Sequence, residues 1–297
     1  MSYDEKVFKA TCASGSYNQV IAYLKSVDDG QEMLEKYKDI FEKGVYVLGQ
    51  KQDESISDGL RKYEDYLKWV LVEQPSNFRG RMHFIRKWGG YARVKRYYKR
   101  RGYYVGVGFV APYFNIMIWR KQTCETATVE IPEGKVDVNL YAIEEVITRG
   151  WLDYLSLGKT GVGGWATKND ICYFKDKYEN TPDEFQISLL KHEAQHVFDQ
   201  RKYPKMKSVD LEYRAKLVEL IYHTEMKTFF YFLSTMSDNK NSPHGYAAGQ
   251  IIKNLSQRIF GKELETNKDL WAGASDKISG ASLELLKEHS KNLENSH

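Results

Sequence analysis

His192, Glu193 and His196, in the string His192-Glu193-Ala194-Gln195-His196, are the residues of this chain whose types and spacing specify a chemistry. Four residues apart on a helix, two imidazoles sit one turn above each other and can aim nitrogens at a single ion. Glu193 lies about 100° further round such a helix, placed to reach a water on the ion rather than the ion itself. Zinc lowers the pKa of its water to about 7, and a neighbouring carboxylate can take the proton as that water attacks a polarised carbonyl. The expected reaction is hydrolysis of a peptide or protein substrate, with one Zn2+ per chain, His192 and His196 as ligands, and Glu193 as catalytic base.

That chemistry requires the motif to be helical, and the flanking residues supply a helix. Thr181-Pro182-Asp183-Glu184 offers an N-cap, a proline at the first helical position and a glutamate three residues on to close a capping box. Phe185, Leu189, Leu190, Val197 and Phe198 recur at helical spacing, and Pro204 limits the run. The pattern predicts one helix over roughly 182–202. A catalytic zinc needs a third protein ligand and an open position. A second helix is expected from Asp210 to Leu220, capped by Ser208 or Asp210, with an apolar stripe of Leu211, Ala215, Val218 and Tyr222. Glu212, Glu219 and His223 fall on a different face of it, since steps of seven and four nearly preserve direction. Glu212 is the expected third ligand, because a chain reversing after Pro204 returns the first turn of this helix to the motif; Glu219 is the alternative. Asp199 is expected to hydrogen-bond a ligand imidazole.

His192-Glu193-x-x-His196 followed by Glu212 on the next helix, with Ala215 three positions later, resembles the gluzincin branch of the zincin metallopeptidases. The resemblance spans roughly residues 160–260 and is greatest to bacterial chains sharing the H-E-A-Q-H and L-E-Y-R-A-K-L strings. It implies an α+β zincin-like fold, metal binding by His192, His196 and Glu212, and Glu193 as base. It also implies that a strand before the motif helix edges the cleft. Gly163-Gly164-Trp165-Ala166-Thr167 running into Asp170–Phe174 reads as a glycine-rich turn and such a strand. A later His or Tyr that stabilises the oxyanion is a further implication. His244, in the first turn of a helix headed by Ser242-Pro243 and ending at Gly261, occupies that place in the chain, with Tyr213 and Tyr246 as weaker choices.

The rest of the chain frames this site. Its 297 residues, 42% hydrophobic, suffice for one large core or two smaller ones. No stretch approaches the length of apolar run that a membrane span needs. The first residues carry acids and no apolar segment, so no signal peptide is expected. Cys12, Cys124 and Cys172 are odd in number and far apart, which suits reduced thiols and a cytoplasmic setting.

Charge is uneven. From Gln74 to Cys124 there is no Asp or Glu, while residues 79–101 hold ten Lys or Arg interleaved with Phe84, Trp88, Tyr91, Tyr97 and Tyr98. With the chain at +4, the remainder carries about −6. Such a segment can track phosphates and stack bases, so nucleic-acid or anionic-surface binding through 79–101 competes with the enzyme reading, as does a non-catalytic zinc scaffold. No nucleic-acid fold signature accompanies it, and a solvated junction is the simpler expectation. The pattern divides the chain into a helical region with this basic junction, 1–101, and a zincin-like domain, 102–297. Gly30, Gly44 and Gly49 punctuate the N-terminal helices. Strand-like runs at 104–109, 114–118 and 128–131 follow, and helices are expected again after Val138.

Overall fold

The computed structural model describes residues 2–48, 54–223, 225–240 and 242–295. Gly49, expected to break helices, lies outside these residues. The chain is α+β, 60% helix and 17% strand, and forms two compact units: residues 1–122 with 143–162, and residues 123–142 with 163–297.

The first unit begins with six helices: α1 (Glu5–Ala13), α2 (Tyr17–Ser26), α3 (Gln31–Phe41), α4 (Glu54–Glu73), α5 (Asn77–Trp88) and α6 (Tyr91–Lys99). Side-chain oxygens of Asp4, Ser16 and Ser76 accept from first-turn amides of α1, α2 and α5, and Gly89 ends α5 in the left-handed conformation. Strand β1 (Tyr104–Val110) pairs antiparallel with the start of β2 (Tyr113–Ile131). After the hairpin turn at 132–133, β3 (Gly134–Thr148) leads into α7 (Trp151–Leu155). Phe8, Val20, Tyr37, Leu60, Tyr63 and Leu67 are at the centre of this core.

Two expectations change here. Strand β3 continues to Thr148 instead of giving way to helix after Val138, because Val138, Leu140 and Ile143 still bury their side chains along an extended backbone. The basic, aromatic-rich segment is the amphipathic pair α5 and α6. Phe84, Trp88 and Tyr98 face inward, Phe84 stacking on Phe114, so these rings are core and not platforms for bases.

The second unit contains the rest of β2 and β3, then β4 (Gly164–Ala166) and β5 (Asp170–Phe174), paired antiparallel. Strand order is β1-β2-β3-β5-β4, which puts β4 on an edge. The glycine-rich segment is therefore largely a strand itself. Gly164 is required there, since a Cβ would lie 2.5 Å from Leu189 Cδ1 and 2.7 Å from the Cys172 carbonyl oxygen. Helical backbone then runs continuously from Pro182 to Lys202: Glu184–Lys191 is π-wound, and α8 (His192–Lys202) is regular. It is followed by α9 (Ser208–Tyr222), α10 (Met226–Thr235), α11 (Pro243–Phe260), α12 (Lys268–Gly273) and α13 (Ser275–Asn295). Leu190, Ala194 and Val197 of the motif segment pack on Val129, Ile131, Val136 and Ile171 of the sheet. Helix α9 is buried among α8, α11 and α13. Among the described residues no helix is long and apolar enough to cross a membrane.

Candidate metal centre

Helical geometry separates the work of α8 by face. Ala194 and Val197 point to the sheet, while His192, His196 and Asp199, at steps of four and three, point to α9. The contacts across this interface step in opposite senses along the two helices: Ser188 Oγ to His223 Nε2 at 3.0 Å, His192 Nδ1 to Glu219 Oε1 at 2.7 Å, His196 Nε2 to Glu212 Oε1 at 3.5 Å. An antiparallel pair joined by a short loop after Pro204 gives that order. Glu212, Glu219 and His223, the face set apart in the sequence, all turn toward the motif segment. The expected caps are absent: Thr181 Oγ1 is buried without a partner, Glu184 pairs with Lys227, and no side chain caps α9.

His192, His196 and Glu212 offer ligand atoms that all lie within 4.8 Å of one another. The other oxygen, Glu212 Oε2, is 3.7 Å from His192 Nε2. Nδ1 of His192 is bonded to Glu219, so its Nε2 is the nitrogen directed at Glu212. The rings of His192 and His196 meet edge to face, 4.7 Å apart. His196 Nδ1 is buried and has no hydrogen-bond partner, in an interior where such atoms are normally satisfied, whereas Glu212 Oε2 is met by His244 Nδ1 at 2.7 Å. Two imidazoles and a carboxylate, with one buried ring nitrogen unsatisfied among them, form a group that could hold a metal ion.

The electrostatics follow from burial opposed by pairing. Burial alone would lower the His192 pKa, but hydrogen-bonded Glu219, with Glu193 and Glu212 nearby, holds it at about 9. For Glu212, burial works upward and loses to the imidazoles of His196, His244 and His192, which pull the carboxyl well below its usual range. Glu219 is lowered in the same way, with His192 and then Lys216 overcoming burial. Without metal the centre is a compact imidazolium–carboxylate cluster.

Glu193 is partly exposed; its negative charge helps raise the Cys172 thiol of β5 and the Tyr178 phenol, both pushed up to about 12 chiefly by burial. His244, at the start of α11, has a side chain 71% exposed, with Nδ1 2.7 Å from Glu212 Oε2. Tyr213 and Tyr246 instead line a cavity of about 620 Å³ to which no triad residue contributes, and the Tyr213 hydroxyl accepts from Asn254 Nδ2 at 2.9 Å.

Asp199 does not bond an imidazole. It accepts twice from Arg214 Nε, at 2.9 Å, and from Gln195 Nε2 at 3.0 Å. Arg214 is fully buried and also pairs with Glu133 of the β2–β3 turn, to which Gln195 donates at 2.7 Å. Burial pushes the Asp199 carboxyl up to about 6 despite Arg214. This network ties one variable motif position, Gln195, together with Asp199 of α8, Arg214 of α9 and a distant hairpin turn into one block. The sequence marks Arg214 only as a charge two residues from Glu212, and nothing in it points to Glu133. Tyr178 was also missed; its one signal is Gly163, where a Cβ would lie 2.5 Å from the phenol oxygen.

No protein-family model, curated protein or solved structure matches this chain.

Proposed function

We propose that the protein is a zinc-dependent metallopeptidase of the gluzincin-like type, with His192, His196 and Glu212 as metal ligands and Glu193 as general base. The observation that carries the reading is the convergence of the three donor groups within 4.8 Å on two antiparallel helices, with Glu193 beside them in the motif. Zinc, when bound, supplies Lewis acidity toward water and a carbonyl oxygen. The chain's own residues do the rest. Glu219, accepting from His192 Nδ1, fixes the tautomer and ring orientation that leave Nε2 free for the metal. Glu193 takes the proton of the attacking water and delivers it to the leaving amine. His244, on the exposed side of the centre, donates to the oxygen on which negative charge develops. Strand β4, on the sheet edge and in contact with α8, offers backbone groups to an extended substrate.

The test is a Glu193→Gln variant assayed on unfolded protein substrates. The proposal expects zinc retained at wild-type stoichiometry and hydrolysis lost. Full activity would remove Glu193 from the reaction, and zinc without turnover in wild type would make this a structural metal site.

A further inference from the structure

The exposed face of α5 is not used by anything so far described. Phe78, Met82 and Ile85 stand at i, i+4 and i+7 and are 72%, 50% and 42% exposed. They form one apolar stripe, opposite the face that buries Gly80, Phe84 and Trp88. Helical geometry sets Arg79 and Arg86 along one side of the stripe and Arg81 along the other. All three arginines are exposed, and none makes an ion pair among the described residues. Phe109 of β1 and Tyr91 of α6, 52% and 40% exposed, pack on Phe114 beside the Arg81 flank. Asp65 of α4 reaches this region, but pairs with Lys87 on the far face of the helix.

We infer that this face docks onto an anionic lipid surface, with the Phe78-Met82-Ile85 stripe lying in the acyl boundary and the flanking arginines on the headgroups. An apolar stripe bordered by cationic side chains is what an interfacial helix presents to a bilayer. The charge is complementary, because no acid occurs from Gln74 to Cys124 and ten Lys or Arg fall between 79 and 101. Other occupants match less well. Met82 and Ile85 offer no planar face for stacking a base, and a second copy would oppose one cationic surface with another. The helix is 12 residues long, too short to cross a bilayer, so it lies along the surface.

The test is co-sedimentation of the full-length chain with vesicles of phosphatidylcholine alone and of phosphatidylcholine with phosphatidylserine. Binding is expected only with phosphatidylserine present, and it should weaken as salt rises. Phe78→Ser is expected to lower affinity about tenfold or more. Arg79, Arg81 and Arg86 changed together to Gln should lower it about a hundredfold, near fivefold for each residue. All four side chains are exposed, so circular dichroism should be unchanged. Absence of binding to both vesicle types, equal binding to both, or full binding by the Phe78 variant would overturn the inference. So would a dimer dissolved by the Phe78 change, or single-stranded DNA bound in preference to the anionic vesicles.

Discussion

Glu219 provides the most quantitative test of how the centre is built. It is a buried carboxylate 2.7 Å from His192 Nδ1, and it contributes no ligand atom to the triad. Its work is to hold one tautomer and raise the basicity of Nε2, a role whose loss typically lowers metal affinity 10–100-fold. Two substitutions separate the parts of that role. In Glu219→Gln the amide oxygen still accepts from Nδ1, so orientation survives and charge is lost; zinc affinity should fall about tenfold, near 1.4 kcal/mol. In Glu219→Leu orientation goes too, and the fall should be about a hundredfold, near 2.8 kcal/mol. Zinc binding must also displace the His192 proton, which Glu219 retains up to about pH 9. Wild-type affinity should therefore rise about tenfold per pH unit below that value, as for release of one proton, and more gently in the Gln variant. Competition with a chromophoric chelator across pH reads both quantities. A Leu variant that binds zinc as tightly as wild type, with the same pH slope, would refute this role for Glu219.

Further outcomes follow from the same contacts. His244→Ala should keep its zinc and lose about a hundredfold in kcat with KM little changed; unchanged kcat would make His244 a surface residue. Arg214→Met strands the buried carboxylate of Asp199 and the half-buried one of Glu133 and should cost about 3–5 kcal/mol, or roughly 10 °C in Tm for a unit of this size; an unchanged Tm in thermal denaturation would contradict the network. In metal-free protein the His192 pKa is raised from 6.5 to about 9, so its contribution to stability is fully present below 6.5 and is lost as pH rises through about 9. Urea unfolding of chelator-stripped protein should show that decline, and a flat profile would count against the His192–Glu219 pair.

The triad and the pairing of two helices were legible in sequence because each rests on local periodicity. His192, His196 and Glu212 are placed by steps of four and by the reversal after Pro204. The partners were less legible for a physical reason. Glu219 reads as an alternative ligand because it shares a face with Glu212, yet the seven-residue step carries it two turns along, opposite the rear nitrogen of His192. Asp199 was expected on an imidazole, but its neighbour across the interface is Arg214, and one guanidinium satisfies it better than a shared ring nitrogen. Glu133 belongs to a hairpin turn some sixty residues before the motif, and no local pattern signals so long a closure. For the same reason, composition marks a boundary near residue 101, whereas the β2–β3 hairpin carries the chain out of the first unit and back. The π-winding of Glu184–Lys191, in which Leu189 and Leu190 are buried, leaves no mark in the apolar spacing.

The most direct measurement of the central claim is metal content by elemental analysis, on protein purified without added metal. The account predicts about one zinc per chain, lost in both His192→Ala and Glu212→Ala and retained in Glu193→Gln. Absence of zinc in the wild type even after reconstitution, or full zinc in the Glu212 variant, would contradict it.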